Sequence, residues 1–182
     1  MAAFSLARPI DGVYRVYDFG GGYGAIYEIF RFLYPDKQFH WTIVEVPALV
    51  ARASEMGASA NKVFCTQLVS GRYSFGISSG TLQYLPDPHI GLRKMVEAGA
   101  ELTMVNRFPI VEAQSQDRLT VQHVPSAYFE ASFPAWFFAP AWREKIKELG
   151  EPIASWASPG DEHVLDGHGV SYGAFLMRKR FT

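Results

Sequence analysis

Between Gly12 and the glycines after Phe19 the chain reads VYRVYDF, β-branched and aromatic residues that suit a buried strand. Beyond the glycines, Ala25, Ile26, Ile29, Phe30 and Leu33 recur at helical spacing until Pro35 and Asp36 end the pattern. Residues 39–46, FHWTIVEV, predict a second strand, and Pro47 suits the first turn of a helix, PALVARASEMG, that closes at Gly57. Residues 62–66 form a short third strand and 73–79 a fourth, with only 67–71 between them, too few for a full crossover helix. Either that helix has been lost or the two strands meet by an unusual link. Residues 86–99 then predict a helix with Ile90, Leu92, Met95 and Val96 partly on one face, and 100–108 a fifth strand. Strand and helix alternate throughout, which argues for a parallel sheet with right-handed crossovers.

From Pro109 the pattern changes. Residues 110–134 carry no clean period and mix charges with Tyr128, Phe129 and Phe133, so 109–138 reads as an irregular lid or acceptor-binding segment. Residues 140–149 predict a helix ended by Gly150, and 152–156 a strand. The polar stretch SPGDEHVLDGHG then connects to a last strand at 170–179. The expectation is α/β: a Rossmann-like, seven-stranded, mostly parallel sheet with a C-terminal antiparallel hairpin, in one domain spanning 1–182.

A chain of 182 residues can bury a full core, and no apolar run is long enough to span a bilayer. The start, MAAFSLARPIDG, lacks a charged end followed by a long apolar stretch, so the protein reads as not exported. Net charge is −1, with no basic block beyond Arg178–Arg180, which argues against nucleic acid as a partner. The lone cysteine, Cys65, excludes an internal disulfide and reads as a small core residue; a reducing cytoplasm is consistent with this. No metal site is singled out.

The chemistry concentrates at the first turn. Asp18-x-Gly20-x-Gly22-x-Gly24, with Gly21 inside it, fits the glycine turn of nucleotide-cofactor sites, where a ligand lies against backbone amides at a helix start. Glu45 ends the second strand about twenty residues on, where a carboxylate can accept from two ribose hydroxyls. Asp18 could pair with an ammonium group or orient the loop. The same residues, read as Gly20-x-Gly22-x-x-Ala25 with Glu45, also fit a nicotinamide-dependent oxidoreductase. A binding module that has kept the fold without turnover is a third reading.

The combination YDFGGGYG, WTIVEVP, SSGTLQYLPDP, DRLTVQHVP and FPAWFF resembles class I S-adenosylmethionine-dependent methyltransferases. More narrowly, it resembles a family of bacterial methyltransferases associated with surface-polysaccharide gene clusters. The resemblance implies S-adenosylmethionine as cofactor and a small acceptor, plausibly a hydroxyl of a sugar or surface-glycan precursor. It places Gly20, Gly22 and Gly24 against the methionyl part, with Asp18 and Gly21 in the same turn, and Glu45 with Val46 at the ribose. Thr66, Gln67 and Leu68 would lie near adenine, and Ser78, Ser79 and Gly80 near the sulfonium. The chain departs from the family in having only about a dozen residues before the first strand and a reduced third crossover.

For the acceptor, Tyr84, Asn106, Arg107 and Gln122 are the polar candidates, while Phe133, Trp136, Phe137 and Phe138 could line a pocket or simply be core. Five histidines are available as a general base. His40 begins a strand at the wrong edge of the sheet. His89, His123, His163 and His168 all fall in or beside suitable connections, and His123, in the lid, is the first choice. The lid aromatics could equally serve a contact between two copies of the chain.

Overall fold

β1 (Val13–Phe19) is the strand around which the sheet is laid, and Val16, Tyr17 and Asp18 are completely shielded from solvent. The computed structural model describes residues 2–56, 59–124, 127, 130–158 and 163–180. To one side of β1 lie β2 (Gln38–Val44) and β3 (Lys62–Cys65), and to the other β4 (Tyr73–Ser79) and β5 (Ala100–Ile110), all parallel. Beyond β5, β10 (His168–Arg178) runs antiparallel to it, and β8 (Glu151–Ala157) runs antiparallel to β10. The order β3-β2-β1-β4-β5-β10-β8 reverses between β1 and β4, and β9 (His163–Leu165) pairs with the start of β10. This is the mostly parallel α/β sheet with a terminal antiparallel pair that the pattern predicts.

The helices are α1 (Ala25–Leu33), α2 (Pro47–Glu55), α3 (Pro88–Glu97) and α4 (Trp142–Leu149). On one face α1 brings Tyr27 and Phe30 against Val16, Trp41, Ile43, Phe75 and Ile77. A 3-10 turn, Ala2–Leu6, adds Phe4, which is 2% exposed and whose ring lies 4.8–5.8 Å from those of Tyr14, Phe30, Tyr34, Phe39 and Phe75. The short segment before the first strand thus closes this end of the core.

On the other face α3 and α4 cover β4, β5 and β10 through Leu92, Met95, Trp142 and Ile146. Over β2 and β3 that face has no crossover helix, because residues 66–72 pass from β3 to β4 without forming one. β2 records the asymmetry in its own alternation. Phe39, Trp41 and Ile43 are buried, whereas His40 and Thr42 between them are half-exposed. Where this face is covered, Tyr17 crosses Gly76 of β4, whose missing Cβ would lie 2.0 Å from the ring. The Tyr17 hydroxyl then donates to the Met95 carbonyl at 2.7 Å and lies 3.2 Å from the Thr103 hydroxyl.

Boundaries shift by a few residues. α3 begins two residues later than expected because Asp87 caps it, its Oδ1 accepting the Ile90 amide at 2.9 Å. Gly57, expected to close α2, lies outside the described residues.

The main correction concerns the lid. Within 110–134 the chain is not irregular: β6 (Arg118–Val124) and β7 (Ala131–Phe137) pair as an antiparallel hairpin. Its root is tied to the end of β5 by Val111 donating to Phe138 and Phe138 to Pro109. Inverted alternation conceals β6 in the sequence, since Leu119 and Val121 face solvent while Thr120 and Gln122 are the more covered. Tyr128 and Phe129 lie outside the described residues.

Candidate functional site

The sheet order reverses at β1, and the glycine turn leaves the carboxyl end of that strand, where ligands bind in sheets of this kind. Asp18 is the last fully buried residue before the turn. Its Oδ2 accepts the Trp41 indole N–H at 3.3 Å, while Oδ1 is buried with no hydrogen-bond partner. Burial raises its pKa to about 7, the Trp41 hydrogen bond pulling it down and the charge of Glu45 adding to the rise. A Cβ on Gly21 would sit 2.4 Å from the Asp18 carboxyl carbon, and one on Gly20 2.2 Å from the Thr81 side chain. The turn can therefore close over the acid only if both positions lack side chains.

Glu45 follows β2. Its Oε1 accepts the Gly22 amide and its Oε2 the Val46 amide, both at 3.0 Å. A carboxylate oxygen has two lone pairs, so each retains one for a ligand hydroxyl. Glu45 thus fixes the turn and still has acceptor capacity. Thr81 holds the other side, its hydroxyl donating to the Gly20 carbonyl at 3.3 Å.

Between these groups lies a cleft of about 390 Å³ lined by Phe19, Gly20, Glu45, Val46, Gln67 and Leu85, among others. That volume is in the range of small-molecule sites, roughly 300–1,000 Å³. Of the residues the sequence nominates, Gly20, Glu45, Val46, Thr66 and Gln67 line this cleft, and Asp18, Gly21 and Gly22 form the turn beside it. Gly24 is the N-cap of α1, packed against Ile43, and Ser79 lies next to the cleft wall, where its hydroxyl receives the Asn106 amide at 3.4 Å. Trp41 and Thr81 hold the turn and its acid, and sequence reasoning does not nominate them. Trp41 reads as core because it is core, and nothing local reveals that its indole N–H reaches Asp18.

The hairpin stands over the far rim. The Tyr84 hydroxyl donates to Gln122 Oε1 at 3.2 Å, the Tyr84 ring meets Phe133 edge-on at 5.3 Å, and Trp136 donates to the Leu85 carbonyl at 3.1 Å. Arg107 sits at an irregularity of β5 opposite Ala174, with φ 55°, exposed and beside Gly80. A non-glycine residue in that conformation inside a strand re-aims its side chain, here toward the carboxyl end of β4. Phe137 and Phe138 belong to the core, whereas Phe133 and Trp136 line the hairpin's contact with the rim.

The structure does not bring His123 to this site. A hairpin alternates its faces, so His123 projects opposite to its neighbour Gln122 and is exposed, among Leu119 and Val121. His89 is held instead in a network at the hairpin root. It stacks on Trp142 at 4.1 Å, with its Nε2 3.0 Å from the Lys145 ammonium and 3.8 Å from Asp117. Burial and the Lys145 charge lower its pKa. Asp117 also accepts from the Trp142 indole at 2.6 Å and the Ala139 amide at 2.9 Å, so this network ties α3, α4 and the hairpin together. Cys65 donates to the Gln67 carbonyl and burial raises its pKa, which makes it a poor nucleophile.

No protein-family model and no curated protein sequence matches the chain. Solved structures do. One described as a sarcosine dimethylglycine methyltransferase from Galdieria sulphuraria superposes with a TM-score of 0.63 at 14% identity, covering 98% of this chain and 82% of that one. The complex of LepI with S-adenosylmethionine gives 0.56 at 11% identity, over 97% of this chain and 46% of LepI. The [4+2]-cyclase SpnF gives 0.62 at 14%, over 94% and 77%. At these identities the likeness establishes the fold: that of the S-adenosylmethionine-dependent methyltransferases.

Proposed function

We propose that the protein is an S-adenosylmethionine-dependent methyltransferase acting on a small acceptor. The observation that carries this reading is the buried Asp18 carboxyl, with one oxygen unpartnered beneath a turn that only glycines can form. A cofactor ammonium supplies the missing partner. The residues fit the group in other respects. Glu45 keeps lone pairs for two ribose hydroxyls, while Phe19, Val44 and Leu85 offer apolar surface and Gln67 polar atoms for an adenine ring. Bound there, the cofactor supplies an electrophilic methyl group on its sulfonium.

The chain's part is to hold the acceptor in line and exclude water, which can provide much of the acceleration. Tyr84, Asn106, Arg107 and Gln122, at the ends of β4 and β5 and on the hairpin, are the proposed acceptor contacts. His123 is not assigned as base, since it faces away from them. The sequence motifs extend the reading to a hydroxyl of a sugar or surface-glycan precursor and to a cytoplasmic setting. A second reading is favoured by the cyclase SpnF, whose fold is similar. In it the cleft binds the cofactor and the protein catalyses a reaction other than methyl transfer.

Calorimetry with S-adenosylmethionine, S-adenosylhomocysteine and NADH tests the cofactor. Selective micromolar binding of the two sulfur ligands is expected, and preference for NADH would overturn the assignment. Replacing Glu45 by Ala should weaken S-adenosylhomocysteine binding by about 1–3 kcal/mol, roughly five- to 150-fold, without unfolding the protein. Unchanged affinity would remove Glu45 from the ribose.

A further inference from the structure

At the opposite end of the same strands, a groove of about 480 Å³ opens at the amino ends of β1 and β2. It exists because β3 starts late: its first residue, Lys62, pairs with Trp41, so Gln38–His40 pair with β1 on one edge and have no β3 residue along the other. Arg15, Arg31, Lys37 and His40 line it, with Tyr27 and Tyr34 in the walls, and no carboxylate lines it.

The cations have little to neutralise them. The Arg15 backbone N–H donates to the Ser74 hydroxyl at 3.3 Å, and its guanidinium has no hydrogen-bond or ion-pair partner among the described residues. Lys37 is held by the Tyr14 hydroxyl at 3.3 Å and lies over the Tyr14 and Tyr34 rings at 5.0 and 5.9 Å. Arg31 lies over Tyr27 at 5.7 Å and 4.0 Å from Glu28, whose other oxygen is taken by Lys62 at 2.9 Å. Asp36, the acid next to Lys37 in the chain, is exposed and outside the lining. Counting Glu28 and Asp36 against Arg15, Arg31, Lys37 and Lys62 leaves two positive charges, in a chain whose total is −1.

We propose that this groove is a second ligand site, for a small molecule carrying a phosphate group. Arginine forks match phosphate oxygens, and the tyrosine rings offer a flat apolar wall for the rest of the ligand. The site is separate from methyl transfer. β1 begins at the groove and ends at the cofactor cleft, and a seven-residue strand spans about 20 Å, far beyond the reach of a methyl group in flight. A small ligand here acts as an effector, and the proposal does not depend on which cofactor the cleft takes.

Phenyl phosphate and inorganic pyrophosphate, titrated calorimetrically against the whole chain with phenol as the neutral control, test it. The two anions should bind at submillimolar concentration, phenol should not, and added salt should weaken the binding. The double variant Arg15→Gln/Arg31→Gln, and independently Lys37→Gln, should lose about tenfold or more in affinity. All three side chains reach solvent, so unfolding midpoints should stay the same, as should S-adenosylhomocysteine binding. Absence of anion binding in the millimolar range would overturn the site, and so would binding that both variants retain in full.

Discussion

The two faces of β2 are built from alternate residues of the same strand, yet one is sealed and the other open. Phe39, Trp41 and Ile43 lie under α1 and the N-terminal 3-10 turn, where Phe4 gathers an aromatic cluster. His40 and Thr42, one position away along the chain, lie where no crossover helix covers the sheet. The loss of one helix therefore appears as polar residues inside a strand that is otherwise core.

The comparison can be broken most forcefully at Trp41. Trp41→Ala should cost about 3–5 kcal/mol, because it opens a large cavity and strips Asp18 of its one donor, whereas His40→Ala on the open face should stay within about 0.5 kcal/mol. Urea unfolding of the two variants measures the contrast, and similar losses would mean that both faces are sealed.

Asp18 should respond next most strongly, and with opposite sign. Its folded pKa of about 7 stands above the ordinary carboxylate value of 3.8, so the folded state favours the protonated form. Its contribution to stability is therefore full below about pH 4, falls as pH rises to about 7, and is flat beyond. Asp18→Asn should remove that decline and stabilise the protein at pH 8 by at most about 4 kcal/mol, since the new amide also needs a partner. The same variant should bind S-adenosylmethionine much more weakly, and wild-type affinity should fall as pH drops below about 7. Stability profiles that coincide from pH 4 to 8 would refute the burial of an ionisable group there.

Thr42→Val is the finest probe. On an open face the change should be within about 0.5 kcal/mol, and a gain well above that in the unfolding midpoint would show that something covers the strand.

Legibility follows the same division. β1, α1 and β4 are readable to the residue, because buried parallel strands and an amphipathic helix give unbroken patterns between glycine and proline stops. The missing crossover is readable from chain length alone. β6 is not, because its apolar residues Leu119 and Val121 point outward. At the site, the glycines and Glu45 announce themselves through spacing, and the cleft assembles five of the nominated residues. The roles of Trp41 and Thr81 depend on contacts between residues 23 and 61 positions apart, which no local pattern encodes. His123 is misplaced for a related reason: a loop leaves side-chain direction open, whereas a paired strand fixes it.

The crossing of Tyr17 over Gly76 bears on how this protein reaches its fold without error. Parallel strands tolerate a sliding mistake poorly, and a two-residue slip of β4 would set the Cβ of Ser74 or Ser78 against the ring that only glycine admits. The same slip would break the bond from the Tyr17 hydroxyl to Met95. Asp18 is the next residue in the chain, so a misaligned molecule would also lose the glycine turn built over it. Tyr17 and Gly76 thus act as a proofreading pair, and an alanine at position 76 should raise the fraction of chains that collapse yet never acquire a working cleft.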